Sequence, residues 1–194
     1  MNTVTELVEP LLSDRLILRQ WTDADVAPFA ALNADPQVME HFPGLLSFAQ
    51  TREMVERVRQ QIEERKFGVW ATELRATGQF IGFIGLAVPM FESHFTPCVE
   101  VGWRLAKEFW GQGYAPEGAG VAMSDGFVRL GLTEIVSLTA TTNLKSMRVM
   151  EKLGMTRDIA DDFDHPRLDV GHRLRRHALY RSKAADWLEA HKLA

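Results

Sequence analysis

The sequence predicts an α/β protein of the α+β kind, with a mixed, mostly antiparallel central sheet of about seven strands flanked by helices. Three observations predict this class. Two strand-like runs, 67–74 and 80–88, lie on either side of a Thr77-Gly78 turn, as the strands of an antiparallel hairpin do. A third run, 98–105, follows closely, and the rest of the chain alternates helical and strand patterns. The length of 194 residues suits a single domain, 1–194.

The first half of the chain begins with a strand and two helices. Residues 15–21 (RLILRQW) are rich in branched apolar side chains and predict the first strand. A helix over 26–32 follows a capping aspartate, either Asp23 or Asp25. Apolar residues at helical spacing predict a second helix over 51–65. They are Met54, Val55, Val58 and Ile62.

The second half alternates helices and strands. A helix is expected over 116–130, a short buried strand over 134–140, and a helix over 144–153 that ends at Gly154. A late strand over 176–182 and a terminal helix over 184–192 complete the prediction.

Composition and charge exclude several classes of function. Lys and Arg number 22 against 26 Asp and Glu, and a net charge of −4 argues against a general nucleic-acid-binding protein. No signal-peptide pattern begins the sequence, and no apolar run approaches the roughly 20 residues of a membrane span. The lone Cys98 cannot form an internal disulfide, so a cytoplasmic location is expected. Cys98 is either a nucleophile or, as the pattern favours, a small apolar residue at the start of a strand.

A glycine-rich turn, FWGQGYAPE (109–117), lies between a predicted strand and a predicted helix. The N-terminus of a helix offers unpaired backbone N–H groups and the positive end of the helix dipole. Pro116 suits the first turn of that helix. Residues 111–115 therefore form a candidate phosphate-binding turn. The P-loop and dinucleotide-binding patterns do not match, and an ordinary strand–helix turn stays open as the alternative.

Three segments in order resemble the GNAT superfamily of N-acetyltransferases. EVGWRLAKEFWGQGYAPEG (100–118) resembles its acyl-CoA-binding core, and TNLKSMRVMEKLGM (142–155) resembles its next segment. Residues 15–42 resemble the opening of the branch of ribosomal-protein N-terminal acetyltransferases, the Rim type. Trp110 stands where the family's Q/R-x-x-G-x-G/A turn carries Gln or Arg. The resemblance implies the GNAT fold.

The resemblance also implies acetyl-CoA as co-substrate, no metal, and a set of binding residues. The turn would bind the pyrophosphate through Trp110, Gly111, Gln112, Gly113, Tyr114 and Ala115. The strand end formed by Trp103, Arg104 and Leu105 would hold the pantetheine arm as an extra strand does. Asn143 would contact the cofactor, and the Ser146 hydroxyl would reach the leaving sulfur.

Acetyl transfer to an amine needs a base, a donor to the carbonyl oxygen and a donor to the leaving thiolate. Glu100 is the candidate base, although a solvent-facing strand residue is the alternative. Ser146 is the candidate donor to sulfur. The predicted function is direct transfer, in a ternary complex, to a protein N-terminal α-amine or a small-molecule amine. A non-catalytic coenzyme A thioester sensor and an unrelated nucleotide-binding enzyme are the alternatives. A monomer or a homodimer is expected.

An aspartate-rich stretch lies in the segment expected to shape the acceptor site. It contains Asp161, Asp162, Asp164 and His165. It lacks the regular spacing of a calcium loop. It is interpreted either as a solvated loop or as an acidic rim that attracts a cationic amine, in which case changing the three aspartates to Asn would raise the acceptor KM.

Overall fold

The computed structural model describes residues 9–192. In this part of the chain, nine strands form one sheet, and five α-helices pack against it. The strands are β1 Leu11–Leu12, β2 Leu16–Arg19, β3 Val69–Leu74, β4 Phe80–Ala87, β5 Glu100–Leu105, β6 Glu134–Ala140, β7 Thr156–Arg157, β8 Phe163–Asp164 and β9 Arg176–Lys183. The helices are α1 Val26–Asn33, α2 Phe48–Arg65, α3 Tyr114–Val128, α4 Leu144–Lys152 and α5 Ala184–His191.

The sheet has the order β1-β2-β3-β4-β5-β6-β9-β7, with β8 also paired to β9. Among the strands that the structure describes, only β5 and β6 run parallel, so the expectation of a mixed, mostly antiparallel sheet is confirmed. The β5–β6 pairing is confined to one position, Glu100 opposite Val136. Beyond that position the two strands share no ladder, and a gap opens in the middle of the sheet.

The helices cover both faces of the sheet. Helix α3 packs closely on one face, because a Cβ added at Gly118 would lie 2.5 Å from Ile84 Cδ1. On the other face, the ring of Phe29 from α1 lies edge-on to that of Phe83 from β4, with 5.9 Å between centroids. No described helix is both long enough and apolar enough to cross a membrane.

Most predicted elements are confirmed, with differences at their ends. Helix α2 begins three residues earlier than predicted because Ser47 forms a capping box with Gln50. Helix α3 begins at Tyr114, so Pro116 is its third residue, where the backbone N–H would still lack a helical partner. The additional strands β1, β7 and β8 have two residues each, too few to show a period-two pattern.

Candidate active site

The gap between β5 and β6 presents unpaired backbone groups. Because Ala106 N–H bonds the Ile81 carbonyl, the antiparallel alternation directs the backbone groups of Trp103 and Leu105 away from β4 and into the gap. The same alternation on β6 directs the backbone groups of Leu138 toward the gap. The Ser137 hydroxyl closes the narrow end by donating to the Val101 carbonyl at 2.9 Å. An extended ligand can therefore pair with the strand edges there, as an added strand does.

The direction of the backbone groups alternates along β5. The three residues of the strand end that is predicted to bind pantetheine therefore do not all present their backbone groups to the gap. Trp103 and Leu105 face the gap with their backbone groups, as their predicted part requires. Arg104 instead directs its backbone groups toward Phe83 on β4, so a ligand in the gap would meet the backbone of its two neighbours and not that of Arg104. The side chain of Arg104 lies on the same face of the strand as that of Glu100.

The glycine-rich turn exposes a run of backbone donors at the N-terminus of α3. Gly111 and Gly113 have φ angles of 75° and 82°, which are strained for any residue with a side chain. The backbone N–H groups of the five residues from Gly111 to Ala115 have no hydrogen-bond acceptor within residues 9–192. They lie where the helix dipole favours an anion. The turn therefore fits a phosphate group.

An arginine from the start of β2 supports this turn. Arg15 donates to the Gln112 carbonyl at 3.0 Å, and its guanidinium lies 4.5 Å from the centroid of the Tyr114 ring. Its Nε also donates to Glu117 at 2.6 Å. Sequence reasoning missed Arg15 because 97 residues separate it from Gln112 and no local pattern links them.

Trp110 has a structural part that its place in the turn did not reveal. Its indole N–H donates to the Leu105 carbonyl at 2.8 Å, and Lys145 Nζ lies 4.4 Å from the ring centroid. The indole thus satisfies one of the backbone groups that β5 directs into the gap. It also connects the turn to α4, which explains an aromatic residue at this position.

Asn143 and Ser146 form a small network at the start of α4. The Asn143 Oδ1 accepts from the Ser146 backbone N–H at 3.2 Å and so caps the helix, as predicted. Its Nδ2 donates to the Ser146 hydroxyl at 3.1 Å and to the Thr139 hydroxyl at 3.0 Å. Because the Ser146 oxygen already accepts a hydrogen bond, its own proton is left for another acceptor.

Glu100 lies at the position where β5 and β6 separate. Its carboxylate has no hydrogen-bond or ion-pair partner in the described part of the chain. Burial raises its pKa to about 7, since desolvation disfavours the charged form. A carboxylate with that pKa exchanges a proton near neutral pH, as a general base must.

Cys98 lies two residues before Glu100 and, unlike that carboxyl group, does not exchange its proton near neutral pH. It lies against the cluster of Phe95 and Val136, and burial raises the pKa of its thiol to about 11. The thiol is therefore protonated at neutral pH, and thiolate is the nucleophilic form. This favours the small-apolar interpretation of Cys98.

The segment between α1 and α2, residues 34–47, is held over the same face as Glu100 and Arg104. Its Phe42 ring stacks on Arg104, with 3.8 Å between the guanidinium carbon and the ring centroid. Its His41 ring nitrogen lies 3.5 Å from the Thr142 hydroxyl, and burial lowers the pKa of that histidine. His41 is thus a second neutral base near α4, which sequence reasoning missed because a lone histidine carries no motif.

Two loops meet through aromatic side chains beside the gap. Phe91 and Phe95, from the loop before β5, contact Phe163 of β8 with centroid distances of 6.1 and 4.8 Å. Phe163 belongs to the cluster that includes Val136, the partner of Glu100. This packing fixes the two loops relative to Glu100. A separate cavity of about 340 Å³, lined by α1 and by the segments around Phe80 and Lys107, includes neither Glu100 nor Ser146 in its lining.

The aspartate-rich stretch is neutralised by arginines. Asp161 pairs with Arg181 at 2.9 Å, and Asp162 accepts two hydrogen bonds from Arg157, one of them at 2.9 Å. Asp164 pairs with Arg175 at 3.2 Å. These carboxylates stabilise the loop around β8, and the pairing removes most of the field that an acidic rim would need.

Replacing Asp162 with asparagine is therefore expected to affect stability and leave acceptor kinetics unchanged. Asp162 is 8% exposed. Loss of its charge-assisted bonds should lower Tm by about 3–10 °C at pH 7. Arg157 holds the pKa of Asp162 below its ordinary value. Its stabilisation is therefore present above the ordinary aspartate pKa and is lost as pH falls through the lowered pKa. The difference in Tm from the wild-type protein should shrink below about pH 4.

Thermal unfolding of Asp162→Asn and of the exposed control Asp169→Asn measures this effect. The control should match the wild-type protein. An unchanged Tm together with a raised acceptor KM would instead favour the acidic rim.

Comparison with known proteins agrees with this geometry. The sequence model of the acetyltransferase (GNAT) domain family matches residues 15–156. The chain is 37% identical over 158 residues to the Bacillus subtilis protein YkkB, and the aligned region covers 80% of this chain and 87% of that protein. It is 31% identical over 152 residues to the uncharacterized N-acetyltransferase YoaA of Bacillus subtilis, covering 77% and 84% of the two chains.

Solved structures share the fold. A GNAT-family acetyltransferase from Bacillus anthracis superposes with a TM-score of 0.75 at 23% identity, covering 91% of this chain and 99% of that one. Spermidine N-acetyltransferase from Vibrio cholerae, solved in complex with CoA and spermine, gives a TM-score of 0.71 at 18% identity, with coverage of 91% and 99%. Ribosomal-protein-S5-alanine acetyltransferase from Vibrio fischeri gives 0.71 at 17% identity, with coverage of 92% and 98%.

Proposed function

The chain belongs to the GNAT family of acetyltransferases, and from this premise we propose that it transfers an acetyl group from acetyl-CoA directly to a primary amine. The observation that carries the proposal is the juxtaposition of two features. One is the run of five unpaired backbone N–H groups at the start of α3, and the other is the opening of the sheet beside Glu100. The first fits an anionic cofactor and the second fits an extended one.

The residues of the chain divide the binding task. Residues Gly111 to Ala115 would hold the pyrophosphate through their backbone N–H groups. The gap-facing backbone groups of Trp103 would pair with the pantetheine amides. The Leu105 N–H would face the thioester end of the cofactor, since the Leu105 carbonyl already accepts from Trp110. Asn143 would hold the cofactor end near Ser146, with which it already shares two hydrogen bonds.

In the proposed reaction, one group of the chain accepts a proton and two groups donate hydrogen bonds. Acetyl-CoA supplies the acetyl group, activated as a thioester. Glu100 accepts a proton from the amine, directly or through a water molecule, because its pKa of about 7 allows exchange near neutral pH. The Ser146 hydroxyl donates to the leaving sulfur, and the Leu105 N–H donates to the carbonyl oxygen as charge develops on it. The protonated thiol of Cys98 favours direct transfer over an acyl-cysteine route.

For the acceptor we propose either a protein N-terminal amine or a small-molecule amine. The structural neighbours include a ribosomal-protein-S5-alanine acetyltransferase and a spermidine N-acetyltransferase. The likeness of residues 15–42 to the Rim type favours the protein N-terminus. A fold of this kind accommodates many acceptors, so the acceptor has to be inferred from the residues of the site.

Release of free coenzyme A from acetyl-CoA tests the proposed function. Peptides with free N-termini form one panel of acceptors, and small amines form a second. We expect release with at least one panel and direct calorimetric binding of coenzyme A. Binding without release from any amine would contradict the proposal and favour the sensor alternative, whereas stabilisation by ATP but not by coenzyme A would favour an unrelated nucleotide-binding enzyme.

A further inference from the structure

The side chain of Arg104 is a buried cation without a counter-ion among residues 9–192. The residue is 9% exposed, and no carboxylate of the described residues forms an ion pair with it. Its Nη1 donates to Asn33 Oδ1 at 2.6 Å. Its Nε is buried and has no hydrogen-bond partner in the described part of the chain. By contrast, Arg19, Arg157 and Arg181 each bind a carboxylate.

Such an arrangement is costly for the protein alone. Burying a guanidinium disfavours its charged form, and here burial lowers the Arg104 pKa to about 10. The rings of Phe42 and Phe83, 3.8 and 5.3 Å from the guanidinium carbon, offset part of that cost. Neither ring accepts the Nε–H, which points along the plane of the guanidinium. A carboxylate matches this geometry, because it binds in that plane and accepts from two N–H groups at once.

The location of Arg104 relates it to the acceptor. Glu100 and Arg104 lie four residues apart on one face of β5, which puts their Cα atoms about 13 Å apart along the strand. Both side chains lie on the face opposite α3, and Phe42 of the segment 34–47 stacks on Arg104. The charges on other elements at this face are also unfavourable to a cationic acceptor. The Arg173 guanidinium, from the loop before β9, donates to the Glu40 carbonyl at 2.6 Å, and Asp161 and Asp164 are paired with arginines.

We propose that the guanidinium of Arg104 binds a carboxylate of the acceptor, while the acceptor's amine is presented to Glu100. This inference rests on the proposed function and makes it narrower. It assigns the acceptor to amines that carry a carboxylate several bonds from the amine, such as short peptides or amino acids with a spacer. It disfavours polyamines, whose second cation would lie beside an uncompensated guanidinium. The phosphates of the cofactor have their own donors at the glycine turn.

Matched acceptor pairs test this inference on the wild-type protein. The probes are amines of the form H₂N–(CH₂)n–COO⁻ and free-acid dipeptides, each compared with the corresponding carboxamide. We expect KM to be at least about 10-fold lower for the best carboxylate than for its amide, because a charge-assisted pair contributes about 1.5–3 kcal/mol. The kcat values of a pair should be similar. Equal KM values for every pair would overturn the inference.

Variants identify the responsible residue. Arg104→Met should remove the preference for carboxylates, and Arg104→Lys should keep part of it. The exposed control Arg57→Met should behave as the wild-type protein does. Coenzyme A affinity should stay unchanged in all three variants, since the Arg104 backbone and side chain both lie outside the glycine turn. Retention of the full carboxylate preference in Arg104→Met would overturn the inference even if the pairs differ.

A binding measurement separates this inference from the proposed function. The same carboxylates and amides are titrated by calorimetry into the wild-type protein saturated with coenzyme A. Carboxylate binding that exceeds amide binding supports the Arg104 site even if no acceptor is turned over, in which case the acetyl transfer alone would be contradicted. Turnover of amines with no carboxylate preference in binding or KM would retain acetyl transfer and reject the Arg104 site.

Discussion

Replacing Glu100 with glutamine is expected to reduce turnover about 10²–10⁴-fold while leaving coenzyme A affinity near that of the wild-type protein. Glutamine has nearly the same shape but cannot accept the proton of the amine. Glu100 lies where β5 and β6 separate, and within residues 9–192 no partner gives its carboxylate a structural task. The loss should therefore fall on the chemical step and spare the glycine turn.

The pH dependence of turnover gives a sharper version of this prediction. Burial raises the pKa of Glu100 to about 7, so the wild-type rate should rise with pH through a midpoint near that value. In Glu100→Gln this midpoint should be absent. A residual rate that rises only at alkaline pH would report deprotonation of the free amine in solution. A midpoint near pH 7 that persists in the variant would assign the base elsewhere, and not to His41, since burial lowers the pKa of that histidine below its ordinary value.

Glu100→Gln should lower turnover but should not lower the thermal stability of the protein. The pKa of Glu100 is higher in the folded protein than in the unfolded chain, so this residue destabilises the fold increasingly as pH rises from the ordinary glutamate pKa to about 7, and by the full amount above that value. At pH 8, Glu100→Gln should unfold at the same or a higher temperature than the wild-type protein. The exposed control Glu63→Gln should change neither turnover nor its pH midpoint. A lower Tm together with a proportional loss of coenzyme A binding would show that Glu100 is a structural residue.

The parts of the site that the sequence predicts are those with local causes. The glycine turn follows from φ angles that Gly111 and Gly113 adopt without strain, and Asn143 and Ser146, three positions apart, form a helix cap. Glu100 was located because β5 is a clear strand pattern. In each case the residues that cause the feature lie close together in the sequence.

The parts that the sequence does not predict depend on partners distant in the chain. Arg15 lies about 100 residues from the turn it supports. The burial of Arg104 requires the approach of Asn33 and Phe42 from another element. The aspartates of the loop around β8 look acidic when counted along the chain, because one of their partners, Arg181, comes from the adjoining strand β9. Charge counted along the chain therefore left the solvated loop and the acidic rim both open, whereas the ion pairs formed in space favour a loop that its carboxylates stabilise.

Replacing Gly113 with valine is expected to weaken coenzyme A binding by at least about 100-fold, the loss of two charge-assisted hydrogen bonds of about 1.5 kcal/mol each. Gly113 is the N-cap of α3 with φ at 82°, a conformation that a β-branched residue adopts only with strain. Relief of that strain would rotate the N–H groups of the turn away from a common centre. A Cβ there would also lie 3.3 Å from Arg15 Nη2, which supports the turn.

Calorimetric titration with coenzyme A, beside a matched control, separates loss of the phosphate site from general strain. Gly78 has φ at 69° in the turn between β3 and β4, and a Cβ added there meets nothing within 4 Å. Gly78→Val should therefore carry similar backbone strain and bind coenzyme A as the wild-type protein does. If both variants bind equally well, the unpaired N–H groups from Gly111 to Ala115 are not the phosphate site. If only Gly113→Val fails while its Tm stays close to that of Gly78→Val, the loss lies in the turn itself, because strain of the same kind elsewhere leaves binding intact.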